Sequence, residues 1–273
     1  MNPKDSYLAT GFRSVDKNSD IGKLAACLQF MEALPSFVAY KSRSIEMMRL
    51  KPSHIAVDIG CGLGFDVHKL AARVLPGGKA IGVDNSDLFL EAARKAFAGE
   101  DGVEFINCDI HKLTFESNSI DAIRVDRTLQ HVENPQKVIS EMARVLRPGG
   151  WLVCAEPDWY TFVIDSDNIN ITEKVTKKWR NSFRNPNIGR QLLRRIRNEG
   201  LQNTWAEGFI LLANGLEAVN IVYDIYKTVQ IMESENVAEA KQFSNWLSEL
   251  TEADKTTAIT ASVTLFLAGG LKI

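Results

Sequence analysis

The chain has 273 residues, 45% of them hydrophobic, which is enough for one sizeable core in a single domain or a single domain with a large elaboration. The formal net charge of −2 gives no overall indication of binding to nucleic acid or to an anionic membrane. The start of the chain lacks a basic stretch followed by an apolar core, and no apolar run approaches the roughly 18 residues of a membrane helix. We therefore expect neither a secretory signal nor a membrane span.

The cysteines and histidines bear on compartment and metal binding. Four dispersed cysteines predict no disulfide framework and suit a reducing cytoplasm, so we expect a cytoplasmic protein. Neither they nor the four histidines have the spacing of metal ligands, and we expect no metal site.

The predicted elements begin with two helices over residues 21–50, separated at Pro35, because apolar residues recur there at helical spacing. Short apolar strands then alternate with amphipathic helices. The predicted strands are 55–57, 80–83, 103–107, 119–125 and 151–155, and the helices between them are 64–75, 86–98 and 135–146. Pro-Gly-Gly runs at 76–78 and 148–150 predict helix ends. This alternation predicts an α/β fold with a doubly wound, mostly parallel sheet.

Acidic residues follow the predicted strands. Four strands end in an acid, and the third is followed closely by one; these acids are Asp58, Asp84, Asp109, Asp126 and Glu156. Ligands of open α/β sheets bind beyond the carboxyl ends of the strands. The sequence therefore predicts a ligand-binding site lined by acidic residues at this edge of the sheet.

A glycine-rich turn follows the first strand. Its spacing is GxGxG over residues 60–64, and Phe65 stands where a dinucleotide-binding GxGxxG turn has its third glycine. Asp58 directly precedes the turn, where its charge would repel a pyrophosphate and attract a cation such as an ammonium group. Both features argue against a NAD-type oxidoreductase.

The next two acids suit a nucleoside. Asp84 ends the second strand 22 residues after Gly62, where its carboxylate can accept hydrogen bonds from two ribose hydroxyls. Asp109 can accept a hydrogen bond from the exocyclic amine of adenine. The alternative for Asp84 is to cap the following helix, a role that Ser86 can fill instead.

Five motifs carry a family resemblance across residues 50–160: VDIGCGLG (57–64), IGVDNS (81–86), NCDIHKLTFESNSIDAI (107–123), LQHVENP (129–135) and EMARVLRPGGWLVCAEPDW (141–159). With them the chain resembles the class I S-adenosylmethionine (SAM)-dependent methyltransferases. It is most similar to the subgroup of ubiquinone/menaquinone C-methyltransferases and natural-product methyltransferases.

The resemblance implies SAM as the cofactor and a seven-stranded Rossmann-like sheet whose last strand is antiparallel. It also implies a set of cofactor-binding positions in the turns after the first four strands. These positions are Asp58, Gly60, Cys61, Gly62, Asp84, Asn85, Asp109, Ile110, Asp126, Arg127 and Thr128.

Beyond residue 160 the match to the family thins. We expect the sixth strand at 205–212 and the seventh at 261–268, with a helical insertion at 215–258 where the family usually has a short turn. We therefore divide the chain into an N-terminal helical cap (1–50) and a methyltransferase domain (51–273). The cap, the insertion and residues 157–190 are predicted to converge as a lid over a substrate chamber.

Three residues are candidates for catalysis. His131 is the first candidate for a general base, and its alternative is a partly buried structural histidine. Glu156 can act as a base or bind an amine, or it can cap a helix or pair with Arg127. Tyr40, with its neighbour Lys41, can close over the methionine end of SAM, or it can be an aromatic residue packed on the sheet.

These observations predict methyl transfer to a C, N or O atom of a small molecule, in secondary metabolism or quinone-like biosynthesis. The alternatives are a SAM-binding protein without transferase activity and an RNA or protein methyltransferase. The basic stretch 174–197 is a solvated helix face or a site for an anionic ligand; few stacking aromatics accompany it, which disfavours nucleic acid. We expect no membrane partner, and both a monomer and a homodimer remain open.

Overall fold

The computed structural model describes residues 6–273, apart from the side chain of Val237. The first five residues of the expected N-terminal cap lie outside this range. Within it, seven strands form one sheet: β1 (Ile55–Ile59), β2 (Lys79–Asp84), β3 (Val103–Asn107), β4 (Ile120–Asp126), β5 (Leu146–Ile164), β6 (Gln202–Asn214) and β7 (Thr260–Leu271).

Eleven α-helices surround this sheet in the described part of the chain. They are α1 (Leu8–Gly11), α2 (Ile21–Ala33), α3 (Pro35–Met47), α4 (Phe65–Val74), α5 (Asp87–Ala96), α6 (Pro135–Val145), α7 (Ile169–Asn181), α8 (Leu192–Asn198), α9 (Leu216–Tyr223), α10 (Ile225–Glu235) and α11 (Ala240–Thr257). None of them, taken singly, is long and apolar enough to cross a membrane, although the bent pair α2–α3 meets that test jointly by length and composition.

The order of the strands is β3-β2-β1-β4-β5-β7-β6. Strands β1 to β5 run parallel to one another, and β7 is antiparallel to both β5 and β6. The expected seven-stranded, mostly parallel sheet with an antiparallel last strand is thereby confirmed. Ile59 at the end of β1 is paired with Val83 on one side and Val125 on the other, so these strand ends are level at one edge.

The fifth strand is much longer than the expected 151–155. Its register against β4 shifts between Leu146 and Trp151, and the bulge absorbs the Pro-Gly-Gly run that we predicted to end a helix. At the other end, β5 continues to Ile164 because it pairs there with Ala261 of β7. The paired residues Ile164 and Ala261 are far apart in the sequence, so a local pattern does not reveal this part of β5.

The N-terminal segment and the helical insertion meet beyond the carboxyl edge. Helices α9–α11 lie between β6 and β7, and they begin where Asn214 pairs with Thr260, next to the end of β5. Asp224, at the junction of α9 and α10, accepts a hydrogen bond from the backbone N–H of Leu8 and another from Lys23 on α2, each at 3.0 Å or less. The N-terminal segment is thereby tied to the helical insertion.

Candidate active site

A cavity of about 410 Å³ opens at the carboxyl edge of the sheet. The turns after β1, β2, β3 and β4 form most of its wall, and residues 12–15 close it from the N-terminal side. All eleven predicted cofactor-binding residues line it: Asp58, Gly60, Cys61, Gly62, Asp84, Asn85, Asp109, Ile110, Asp126, Arg127 and Thr128.

The glycine turn brings the ends of β1 and β4 close together. Gly60 has a φ of 71°, and a Cβ atom there would lie 2.2 Å from Oγ1 of Thr128. Only glycine allows this approach without displacing the loop after β4. The next glycine, Gly62, donates its backbone N–H to Oδ2 of Asp84 at 2.9 Å, so the turn after β1 is also joined to the end of β2.

Asp84 keeps acceptor capacity toward the cavity. Its two carboxylate oxygens accept one backbone N–H each, from Gly62 and from Ser86, which leaves lone pairs on both. Burial raises the pKa of Asp84, and the backbone donors oppose that shift. The helix-capping role falls to Ser86, whose Oγ accepts the N–H of Phe89.

Asp109 stands at the open side of the cavity. Its side chain is 70% exposed and accepts hydrogen bonds from the backbone N–H of His111 at 2.9 Å and from the ring of that residue at 2.8 Å. The first of these bonds is the main reason why the pKa of Asp109 lies below its usual value. The carboxylate is thus ionised and accessible.

Asp58 belongs to a buried cluster of charged residues that the sequence did not predict. Arg124 in the middle of β4 is fully buried, and its guanidinium lies 3.3 Å from Asp58, 3.2 Å from Asp66 and 2.8 Å from Asp126. Burial raises the pKa of Asp58, while the charge of Arg124 opposes that shift. Oδ1 of Asp58 faces Arg124 without a hydrogen bond from any residue between 6 and 273, and the Asp58 carboxylate also lines the cavity, where it can accept from a ligand.

The predicted catalytic residue Tyr40 lies outside the cavity wall. Its side chain is fully buried on α3, and its hydroxyl donates to the carboxylate of Asp126 at 3.1 Å. It therefore contacts Asp126, a residue of the cavity wall, without lining the cavity itself. Its neighbour Lys41 does line the cavity, where its ammonium lies 2.7 Å from Asp66.

Glu156 is also buried away from the cavity. Its carboxylate accepts the backbone N–H groups of Thr128, Leu129 and Gln130 and so holds the loop after β4. Burial raises the pKa of Glu156 to about 8, against the opposing effect of these donors. Its position corresponds to the capping alternative more closely than to a base in contact with ligand.

His131 lines the cavity as expected, in an environment that weakens it as a base. Burial, together with the charges of Arg13, Arg127 and Arg184, lowers the pKa of His131 to about 3. Its ring packs between Phe12 and Phe183, with centroids 6.0 and 5.6 Å away. Within residues 6–273, Nδ1 of His131 finds no hydrogen-bond partner. The imidazole is therefore neutral and accepts a proton poorly.

A second, smaller cavity of about 50 Å³ adjoins the first. We call it the aromatic pocket, because its wall includes Phe12, Phe37, Trp159, Trp179, Phe183 and Tyr223. Trp159 stacks on Phe183 with centroids 4.6 Å apart, and Trp179 meets both edge-on. Four residues line both cavities: Phe12, Arg127, Gln130 and His131.

Several wall residues escaped sequence analysis. Phe12, Arg13 and Val15 lie in a stretch for which no element was predicted. Arg184 belongs to the basic stretch 174–197, for which the sequence predicts either a solvated helix face or a site for an anionic ligand. The one residue that could have indicated the N-terminal segment is Asp16. Its carboxylate accepts the N–H groups of Asp87 and Leu88 at the start of α5.

The residues present fit SAM. The carboxylate of Asp58 lines the cavity and suits the ammonium of the methionine part, and the turn at Gly60 leaves room that a side chain would fill. Asp84 and Asp109 offer acceptors to a ribose and an adenine at the next two strand ends.

Known proteins were compared with the chain. A profile described as a methyltransferase domain matches residues 50–208. An uncharacterised 37.1 kDa protein in a transposon of Streptomyces fradiae is 34% identical over 226 residues, or 82% of this chain and 66% of the relative. Demethylmenaquinone methyltransferase of Staphylococcus aureus is 32% identical over 117 residues, or 43% of this chain and 48% of the relative. The matches thus span about half to two thirds of the curated relatives' lengths.

Among solved structures, phosphoethanolamine N-methyltransferase 2 of Haemonchus contortus in complex with S-adenosyl-L-methionine is similar with a TM-score of 0.59 and 19% identity. The likeness covers 96% of this chain and 60% of that one, and it shows a shared fold. Since the methyltransferase profile covers more than half of the chain, the protein belongs to the class I SAM-dependent methyltransferases.

Proposed function

We propose that this methyltransferase acts on a small molecule held in the aromatic pocket, at a C, N or O atom. One observation carries the proposal: the aromatic pocket and the large cavity share the wall formed by Phe12, Arg127, Gln130 and His131. A ligand in the pocket therefore lies next to a cofactor in the cavity. The pocket is walled by buried aromatic rings, and at about 50 Å³ it takes only one end of a ligand whose remainder lies in the large cavity.

In this proposal the strand-end acids bind the cofactor. Asp58 faces the ammonium of its methionine part, Asp84 the ribose and Asp109 the adenine, while the turn at Gly60 follows the backbone of the ligand. When bound, SAM supplies an activated methyl group on its sulfonium.

We assign the catalytic contribution of the protein mainly to positioning and to exclusion of water, which can lower a barrier by several kcal/mol. The neutral His131 offers Nδ1 to the acceptor as a hydrogen-bonding group, a role that its low pKa favours over general base catalysis. Tyr40 and Glu156 are positioning residues, the first for Asp126 and the second for the loop 128–130.

We also propose a metabolic setting for the reaction. Similarity to a demethylmenaquinone methyltransferase supports secondary metabolism or quinone-like biosynthesis over methylation of RNA or protein. The four free cysteines of the chain support a reducing cytoplasm. The active unit is a monomer or a homodimer.

The test combines binding with turnover. We expect calorimetry to detect SAM binding to the purified protein. When small aromatic acceptors are offered with SAM, we expect the protein to methylate them and form S-adenosylhomocysteine. A protein that binds SAM but methylates RNA or protein fractions and no small molecule would refute the proposal.

A further inference from the structure

Three arginines line the large cavity on the side of the aromatic pocket. Arg13 precedes α2, Arg127 lies in the loop after β4, and Arg184 follows α7. We call them the guanidinium cluster. The charges of all three act on the buried ring of His131, which places them around the wall shared by the two cavities.

The positive charge of this cluster is only partly neutralised. Arg13 has no carboxylate within ion-pair distance among residues 6–273; its guanidinium donates to the backbone carbonyl of Ser182, and its Nε is buried without a partner. Arg184 lies 3.4 Å from Glu133, whose side chain is 80% exposed, so this ion pair is screened by water. Burial and the nearby charge of Arg184 both lower the pKa of Arg13.

The carboxylates near Arg127, those of Asp126 and Glu32, are shared with other cations. The Nε of Arg127 lies 3.5 Å from Oδ1 of Asp126, and that carboxylate is also shared with Arg124 at 2.8 Å. The remaining contacts of Arg127 are a sulfur atom, Sδ of Met31, and the ring of Phe37 at 5.3 Å. Two of the three arginines therefore have buried Nε–H groups that make no hydrogen bond within the described residues.

The aromatic pocket alone would accept either a cation or a flat apolar group, because aromatic faces attract both. No aspartate or glutamate lines that pocket among the described residues, whereas Arg127 does. Three guanidinium groups repel an ammonium placed beside them and attract an anion. The charges therefore decide between the two kinds of ligand.

We propose that the methyl acceptor is a flat apolar molecule with an ionised oxygen, which faces the guanidinium cluster while the apolar end enters the aromatic pocket. This inference rests on the proposed function, since it names the acceptor class of the same site. The ionised oxygen belongs to a carboxylate or a phenolate, which share the chemistry that arginine recognises.

The experiment measures binding to the full chain saturated with S-adenosylhomocysteine, using isothermal titration calorimetry. The probes are two matched pairs, benzoate with benzamide and 4-nitrophenolate with nitrobenzene, together with benzylammonium. We expect at least one anion to bind tenfold or more tightly than its neutral match, and benzylammonium to bind most weakly. Preference for benzoate identifies a carboxylate, and preference for 4-nitrophenolate a phenolate.

The substitutions Arg13→Gln and Arg184→Gln should each reduce that preference about tenfold and leave the affinity for the neutral probe unchanged. Arg194→Gln on α8 removes the same charge from an exposed position outside both cavities and should change neither affinity. Thermal unfolding of each variant checks that it is folded.

Two results would overturn the inference: neutral probes that equal their anions in both pairs, or tightest binding of benzylammonium. If S-adenosylhomocysteine itself does not bind, the proposed function fails. If it binds and the anions show no preference, only the acceptor class is wrong.

Discussion

Among single side chains, Asp84 joins two turns of the cofactor cavity and still has lone pairs to offer. We expect Asp84→Ala to weaken SAM binding about tenfold or more, because charge-assisted hydrogen bonds of about 1.5–3 kcal/mol are lost. Calorimetry measures the effect, with Asp101→Ala, an exposed acid outside the cavity, as the control. Equal affinities for the two variants would contradict the ribose-binding role.

His131 gives a prediction about pH. Its folded pKa of about 3 lies below the ordinary value of 6.5, so the unfolded chain takes up the proton first as the pH falls. The stability contributed by the neutral ring is present above pH 6.5 and is lost progressively toward pH 3. Between pH 7 and pH 5 this loss amounts to about 2 kcal/mol.

We expect His131→Gln to remove that part of the pH dependence. Urea unfolding at pH 7 and pH 5 should show a smaller loss of stability for the variant than for the wild type. His68→Gln, at an exposed position on α4, should behave like the wild type. A wild-type loss retained in His131→Gln would mean that the histidine is not held neutral by the fold.

The eleven residues predicted to bind the cofactor all line the large cavity, because they lie in turns directly after strands. Neither Tyr40 nor Glu156 lines the large cavity, since proximity along the chain does not set the direction of a side chain. Their predicted catalytic roles stay predictions, which we now propose as positioning. Arg124 was missed because an arginine inside an apolar strand has no motif to mark it.

At the level of elements, Arg124 on β4 is the buried cation that three acidic residues share. Arg124→Met leaves Asp58, Asp66 and Asp126 without their shared buried partner. We expect the free energy of unfolding to fall by about 3–5 kcal/mol at pH 7, as for other buried ion pairs that lose one member. Urea denaturation measures it.

Two further variants make that test specific. Arg124→Met with Asp58→Asn removes the one acid of the three that forms no other ion pair among residues 6–273, and it should recover part of the loss. Arg73→Met, at an exposed position on α4, should cost less than about 0.5 kcal/mol. A loss below about 1 kcal/mol for Arg124→Met would show that the acids protonate or hydrate at little cost.

The strands and helices of the cofactor half could be predicted within a few residues, since hydrophobic period and turn residues determine them locally. The length of β5 could not, because residues up to Ile164 become strand only by pairing with β7. The same holds for β6, which extends from Gln202 to Asn214 against β7, whereas the sequence predicted only 205–212. Long-range pairing is not visible in a local pattern.

On the scale of the whole molecule, residues 7–17 form a strap across the site. Tyr7 and Leu8 bind Thr228 and Asp224 in the helical insertion, and Asp16 binds the start of α5 at the opposite end. Between these two attachments, Phe12 and Val15 cover the large cavity. The strap therefore connects the insertion to the cofactor half of the sheet.

We expect Asp16→Ala to loosen this strap. The loss of its bonds to α5 is worth about 1 kcal/mol, which corresponds to roughly fivefold faster dissociation of SAM in stopped-flow measurements. Hydrogen exchange should rise in residues 7–17 above all. Asp20→Ala, which removes the cap of the neighbouring helix α2, serves as the control and should leave SAM dissociation unchanged.

The strand-end acids and most of the aromatic pocket come from different parts of the chain. The predicted cofactor-binding residues come from turns between Asp58 and Thr128, whereas most of the aromatic pocket comes from the strap, α2, α3, α7, α9 and their flanking loops. Mutations that reshape the pocket can therefore accumulate without disturbing the strand-end acids. In evolutionary terms, acceptor preference in such a molecule can diverge quickly among descendants while their cofactor stays the same, and transplanting these segments between homologues is a direct route to new acceptors.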